Sequence, residues 1–190
     1  MKIEGYKEFK LRDMSKFHHA NDGTRTLFES IAYPEVQYTL NDWKDLEVDK
    51  CVLIGGIALS YYVKPRTTED IDLLFLSEDD IPEPLVGFKR TRKGAFQHNK
   101  YQVEVVVVTP SFINMRMDMA QKIFNTSVIS DGMRVASPSG LIASKLGRFN
   151  RQDQADIDNL LSSQVIDMSV FNLTKVEIER FNSIKDDLQK

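Results

Sequence analysis

The stretch Val52–Phe75 constrains this chain more than any other. Val52-Leu53-Ile54 is a short apolar run that stops at Gly55-Gly56, as a buried strand does at a turn. The residues from Ile57 to about Val63 continue as a helix, and Lys64-Pro65-Arg66-Thr67-Thr68-Glu69 follows as a basic loop. Asp70-Ile71-Asp72-Leu73-Leu74-Phe75 then reads as a second strand carrying two carboxylates. Asp70 and Asp72 are two apart, so on a strand both side chains leave the same face. Carboxylates held side by side repel unless a positive charge sits between them. A divalent metal answers that, and hard cations such as Mg²⁺ take oxygen ligands. The glycine pair lets backbone approach a ligand closely and offers amide N–H groups to phosphate. The helix behind it aims its positive end at the same place.

A third carboxylate stands in a similar setting. Val103-Glu104-Val105-Val106-Val107-Val108 is the most β-branched run of the chain and reads as a central strand. A buried charge without a partner is costly, so Glu104 either joins a site or faces solvent near the strand's start. If this strand pairs with Asp70–Phe75, three carboxylates can converge on one or two metals.

In this order, an apolar strand, Gly55-Gly56, a helix, Arg66-x-Thr68-x-Asp70-Ile71-Asp72 and the later Glu104 resemble the DNA polymerase β-like nucleotidyltransferase superfamily. The pattern is most similar to the AbiEii-type and other small bacterial nucleotidyltransferase-like proteins. The resemblance is tight over Cys51–Pro110 and looser over Val135–Leu161. It implies Asp70, Asp72 and Glu104 as metal ligands and catalytic residues, with Mg²⁺ (one or two ions) or Mn²⁺. It also implies that the loop leading into the carboxylate strand lies beside an NTP, with Arg66, Thr68, Gly55 and Gly56 near its phosphates. Taken by itself, Arg66 suits either a bidentate phosphate contact or a pairing with Glu69 or Asp70. Thr68 by itself suits a hydrogen bond to the loop backbone.

A second part of the resemblance is Leu141-Ile142-Ala143-Ser144-Lys145-Leu146 followed by Arg151-x-Asp153-x-x-Asp156. It implies that Lys145 reaches the nucleotide phosphates and that Arg151, Asp153 and Asp156 brace two helices. Read without it, Lys145 is equally a lysine whose stem covers apolar surface while its head stays in water.

The rest of the chain bounds the possibilities. Its 190 residues suit one compact domain, or a core with a small appendage, and a 42% hydrophobic content supplies a sizeable core. We expect a catalytic core with an N-terminal helical extension over 1–110 and a mostly helical region over 111–190. With 28 acidic against 25 basic residues, net charge does not announce a nucleic-acid binder. The single cysteine, Cys51, excludes an internal disulfide framework and a cysteine-rich zinc site. The first ten residues lack an apolar core, and Cys51–Val63 is too short to span a bilayer, so a cytoplasmic location is expected.

Met1–His19 has roughly helical apolar spacing, and His18-His19 reads as a surface pair. Thr24–Tyr33 looks helical with Pro34 ending it, and Val36–Trp43 is ambiguous. Phe88–Tyr101 mixes Lys89, Arg90, Arg92, Lys93 and Lys100 with Phe88, Phe96 and Tyr101, broken by Gly94 into two hairpin strands. Such a stretch can hold a nucleic-acid backbone and stack bases, or it is a charged edge that resists unwanted pairing. Phe112–Phe124 reads as a methionine-rich helix, Asp131-Gly132 as a hairpin turn, and Ser137-Pro138 as a capped helix start. A terminal helix lies within Ser169–Lys190, with Val176, Phe181, Ile184 and Leu188 as its apolar face.

These readings converge on an α/β (α+β) nucleotidyltransferase fold: a short mixed central sheet, helices on one face, and a helical C-terminal part. The expected reaction moves an NMP from an NTP to an acceptor hydroxyl and releases pyrophosphate. The acceptor is RNA (held by residues 88–101), a protein or a small molecule, and no membrane is involved. Two alternatives stand beside it, an inactive NTP-binding module of the same fold and a metal-dependent phosphodiesterase.

Overall fold

The computed structural model describes residues 24–47, 50–64, 68, 70–82, 86–91 and 95–188. The expectations for Met1–His19, His18-His19, Arg66, Arg92, Lys93 and Gly94 lie outside the described residues. Within them the chain is a mixed α/β fold built on a seven-stranded sheet. Helices α1 (Leu27–Ser30) and α2 (Pro34–Glu47) precede strand β1 (Cys51–Ile54), helix α3 (Gly55–Tyr62) and strand β2 (Ile71–Phe75). Strands β3 (Phe88–Arg90), β4 (Phe96–His98) and β5 (Glu104–Val108) form an antiparallel meander. Helix α4 (Met117–Asn125) leads to the hairpin β6 (Val128–Ser130) and β7 (Met133–Val135). The chain closes with α5 (Pro138–Leu146), α6 (Arg151–Ser163) and α7 (Lys175–Asp187).

The strand order is β3-β4-β5-β2-β1-β7-β6. β2 lies at the centre, antiparallel to β1 and parallel to β5. Cys51, Leu53, Ile71, Leu73, Leu74, Phe75 and Val105 are all buried, which matches their nearly continuous apolar sequence.

Several local expectations hold and several shift. The Asp131-Gly132 turn has both residues at positive φ (50° and 76°), as a two-residue hairpin of this hand requires. Ser137 caps α5 by accepting the Gly140 N–H, with Pro138 at the first helical position. Pro34 does not simply end a helix. It opens α2, where its missing N–H would have had no intrahelical partner anyway. α1 is confined to four residues, fixed by a Thr26–Glu29 capping box. α4 starts five residues later than the sequence spacing suggests, because Asn114 takes a left-handed conformation (φ 52°).

The sheet is covered on both faces rather than one. Register places Phe88, Phe96 and His98 on the same face as Val105 and Ile71. Trp43 of α2, fully buried, packs edge-on against Phe88 and Phe96 on that face. Asp72 and Val106 point to the opposite face. Phe88 and Phe96 are therefore core residues, and Tyr101 stacks on the buried His98. The aromatics of residues 88–101 that the structure describes are thus used inside the fold, leaving Lys89, Arg90 and Lys100 outside as an exposed charged edge. His98 is locked in one tautomer. Its Nδ1 accepts the N–H groups of Lys100 and Tyr101, so its ring proton sits on Nε2, 3.0 Å from Asp42.

Candidate active site

The centre of the site is the join of β1, α3 and β2. Ile54 stands opposite Asp72 in the antiparallel pair. Gly55, the next residue, turns the chain into α3 with φ at +70°. A Cβ on Gly55 would lie 1.9 Å from Oδ2 of Asp72 and 2.7 Å from its Cγ. The position therefore requires glycine twice over, for its backbone angle and for the carboxylate lying against it. Sequence reasoning assigned the glycine pair to phosphate alone. The structure adds that Gly55 makes room for Asp72, and that the positive end of α3 meets that carboxylate. Gly56 is buried in the first turn of α3.

The other carboxylates are placed by register. Ile71 pairs with Val105 and Asp72 with Val106, so Asp70 and Glu104, one residue earlier on each chain, arrive level with each other. Asp70 is exposed, while Asp72 and Glu104 are half-buried. Thr68 is half-buried. Asp72 lines a cleft of about 590 Å³ beneath α4 and α5, with Gly55, Lys145, Arg148, Arg116 and Glu177 among its walls. Glu104 lines an adjoining cleft of about 640 Å³ that also holds Glu78, Asp79 and Arg90. Val106 and Phe112 belong to both clefts and form the divide between them. Among the described residues, no three His, Cys, Asp or Glu side chains stand close enough together to hold a metal ion by themselves. The oxygen donors at hand nevertheless suit Mg²⁺. That ion is usually held by one or two carboxylates together with substrate phosphates, not by a cage made wholly of protein.

The wall contributed by α5 and α6 is a charge cluster. Lys145 is only 6% exposed, and its Nζ lies 2.7 Å from Asp156 Oδ2 and 3.8 Å from Asp153 Oδ1. Gln152 donates to the second oxygen of Asp156. Asp153 is fully buried and receives a two-pronged contact from Arg148, Nε at 2.8 Å and one η nitrogen at 2.7 Å. The N–H of Asn150 also donates to Asp153 as part of the capping box of α6. Burial pushes the Asp153 carboxyl up. The hydrogen bonds from Arg148 and Asn150 and the charges of Arg148 and Lys145 outweigh it and hold the group below its usual range. The same Asp153 contact, with smaller contributions from the charges of Asp72 and Asp156, keeps the Arg148 guanidinium more firmly protonated than usual against partial burial.

Two features of this cluster differ from the sequence reading. The cations that meet Asp153 and Asp156 are Arg148 and Lys145, whereas Arg151 stands exposed on the first turn of α6. Lys145 lines the cleft, but its ammonium is engaged by carboxylates. Arg148, Arg116 and Glu177 were not singled out from sequence. For Arg148 a signal existed: it follows Lys145 by three residues, which on a continuing helix places both on one side. Arg116 and Glu177 meet only through tertiary folding, 3.4 Å apart, with Arg116 also donating to the Asn172 carbonyl.

The carboxylate-bearing strand beside the glycine turn thus opens on a cleft walled by Arg116, Lys145, Arg148 and Glu177. Residues 35–189 match the family described as "Nucleotidyltransferase of unknown function (DUF6036)", and the chain belongs to that family. No curated protein matches the chain at a significant level. Among the described residues no helix is long and apolar enough to cross a membrane.

Proposed function

We propose that the protein transfers an NMP from an NTP to an acceptor hydroxyl, with the NTP seated in the cleft bounded by Gly55, Asp72 and α5. The observation that carries this reading is the contact of Asp72 with Gly55 at the head of α3. It sets a carboxylate, a helix N-terminus and open space side by side. Asp70 and Asp72 would hold Mg²⁺ or Mn²⁺, with Glu104 completing the set from the neighbouring strand. When bound, such an ion neutralises phosphate charge and offsets the charge that builds on the attacking and leaving oxygens. The chain's own residues do the rest. Backbone N–H groups at Gly55 and Gly56 would face the phosphates, Arg66 and Thr68, which precede Asp70 in the sequence, would add contacts to them, and Lys145 would add positive charge at the cleft wall. The acceptor oxygen forms a bond to the α-phosphorus as the bond from that phosphorus to the β-phosphate oxygen breaks. Glu104 accepts the acceptor's proton, and pyrophosphate leaves. The likeness to AbiEii-type proteins that supports this reading rests on Gly55-Gly56 followed by Arg66-x-Thr68-x-Asp70-Ile71-Asp72.

The test is incubation with each α-labelled NTP, Mg²⁺, and cellular RNA, protein and small-molecule fractions. Wild type should label one fraction and Asp70→Ala/Asp72→Ala should label none. Equal labelling by both would overturn the assignment. A second reading, an NTP-binding module that transfers nothing, draws on Glu104 lining the adjoining cleft instead of the one Asp72 lines. Tight NTP binding without label in any fraction would favour it.

A further inference from the structure

Three cations line the cleft of Asp72, and their commitments differ. Lys145 is buried against Asp156. Arg116 is spread over Asp118, Glu177 and the Asn172 carbonyl. Arg148 uses Nε and one η nitrogen on Asp153. Its other η nitrogen has no partner among the described residues, and its side chain is 71% exposed at the cleft wall.

The support beneath Arg148 is rigid. Asp153 is fully buried, fixed by the Asn150 N–H and close to Lys145. An arginine fork docked on such a carboxylate has already lost most of its rotamer freedom, so a further contact orders little more. Asp153 and Asp156 sit behind Arg148 and Lys145 and balance their charge one for one, which keeps two cations stable beside a cleft before any ligand arrives. Asp72 and Arg148 line the same cleft, so both side chains border one space.

We propose that Arg148 is a phosphate-binding residue whose free η nitrogen engages the β- and γ-phosphates of the NTP, the pyrophosphate that leaves, with Asp153 as its positioning residue. The inference rests on the nucleotidyltransferase reading of the same cleft. It assigns to Arg148 the phosphate contact that the sequence resemblance gave to Lys145, and it gives Lys145 the task of holding Asp156 and Asp153 in place.

The experiment is calorimetric titration of wild type, Arg148→Ala and Arg148→Lys with three probes in Mg²⁺. These are inorganic pyrophosphate, a non-hydrolysable NTP analogue and a single-stranded oligonucleotide. Thermal melts report folding of each variant. Arg148→Ala should bind pyrophosphate and the analogue about ten- to a hundredfold more weakly, the scale of a hydrogen bond to a charged group. Arg148→Lys, which keeps the charge and loses the fork, should fall between and guards against a folding defect in the alanine variant. Unchanged pyrophosphate affinity in a folded Arg148→Ala would overturn the proposal while leaving the NTP site standing. Loss confined to the oligonucleotide would also overturn it, assigning Arg148 to a nucleic-acid backbone. Wild type that binds neither pyrophosphate nor the analogue would overturn both this proposal and the reading beneath it.

Discussion

Gly55 shows how one residue without a side chain serves both fold and chemistry. A methyl group there would overlap Asp72 and force a left-handed backbone on an alanine. Gly55→Ala should therefore cost about 1–3 kcal/mol in urea unfolding, and it should weaken NTP binding through the displaced carboxylate. A variant as stable as wild type would mean that the turn readily rearranges. Asp153 gives a prediction with a definite pH sign. Its folded-state carboxyl is held below the ordinary value, so the stability it contributes is present above that value, near 3.9, and is lost as pH falls through the lower folded value. Asp153→Asn should thus be destabilised at neutral pH. The gap between the two proteins should narrow in unfolding experiments carried below about pH 4. A gap that widened with acid would contradict the assignment.

Among elements, the α5–α6 pair is the clearest case of helices joined by charge. Removing one partner leaves a buried ion exposed to the cost of desolvation. Asp156→Ala leaves the buried Lys145 ammonium only its longer, 3.8 Å approach to Asp153 and should cost about 3 kcal/mol, while Lys145→Met/Asp156→Leu should recover most of that loss. Chemical denaturation of the three proteins measures both effects, and a double variant no better than the single one would show that the pair is not the source. α7 is attached differently. Arg180 donates to the Leu146 and Gly147 carbonyls at the end of α5, and Ile184 is the buried residue of its apolar face. Val176 and Leu188 are exposed, so the face that docks is narrower than periodicity suggests. The basic hairpin carries the opposite lesson. Its alternation of cation and aromatic fits a nucleic-acid surface equally well on paper, until Trp43 claims Phe88 and Phe96 for the core. Phe96→Ala should accordingly behave as a core truncation, losing about 3–5 kcal/mol in unfolding. A loss below about 1 kcal/mol would show that the ring is not a core element.

For the whole molecule, what the sequence reveals follows from how local the causes are. β1, the glycine turn, β2 and β5 were legible because each is written in consecutive residues: apolar runs, a glycine pair, and carboxylates at strand spacing. The pairing of β2 with β5 was only a condition in the sequence, under which three carboxylates could converge, and it is the fold that supplies it. The start of α4 was not legible, because the left-handed Asn114 gives no apolar signal. Coverage of both sheet faces was not legible either, since it depends on α2 reaching across to β3 and β4. The division of labour between Lys145 and Arg148 is a matter of tertiary placement: of two cations three residues apart, one is buried against Asp156 and the other is held on Asp153 with its side chain exposed. The central claim, that an NTP and a divalent ion bind together beside Asp72, is tested most directly by calorimetry. A non-hydrolysable NTP analogue would be titrated into wild type and Asp72→Asn with and without Mg²⁺, with thermal melts to verify folding. The account predicts binding by wild type that depends on Mg²⁺ and disappears in a folded Asp72→Asn. Binding of equal strength in the variant, or binding indifferent to Mg²⁺, would contradict it.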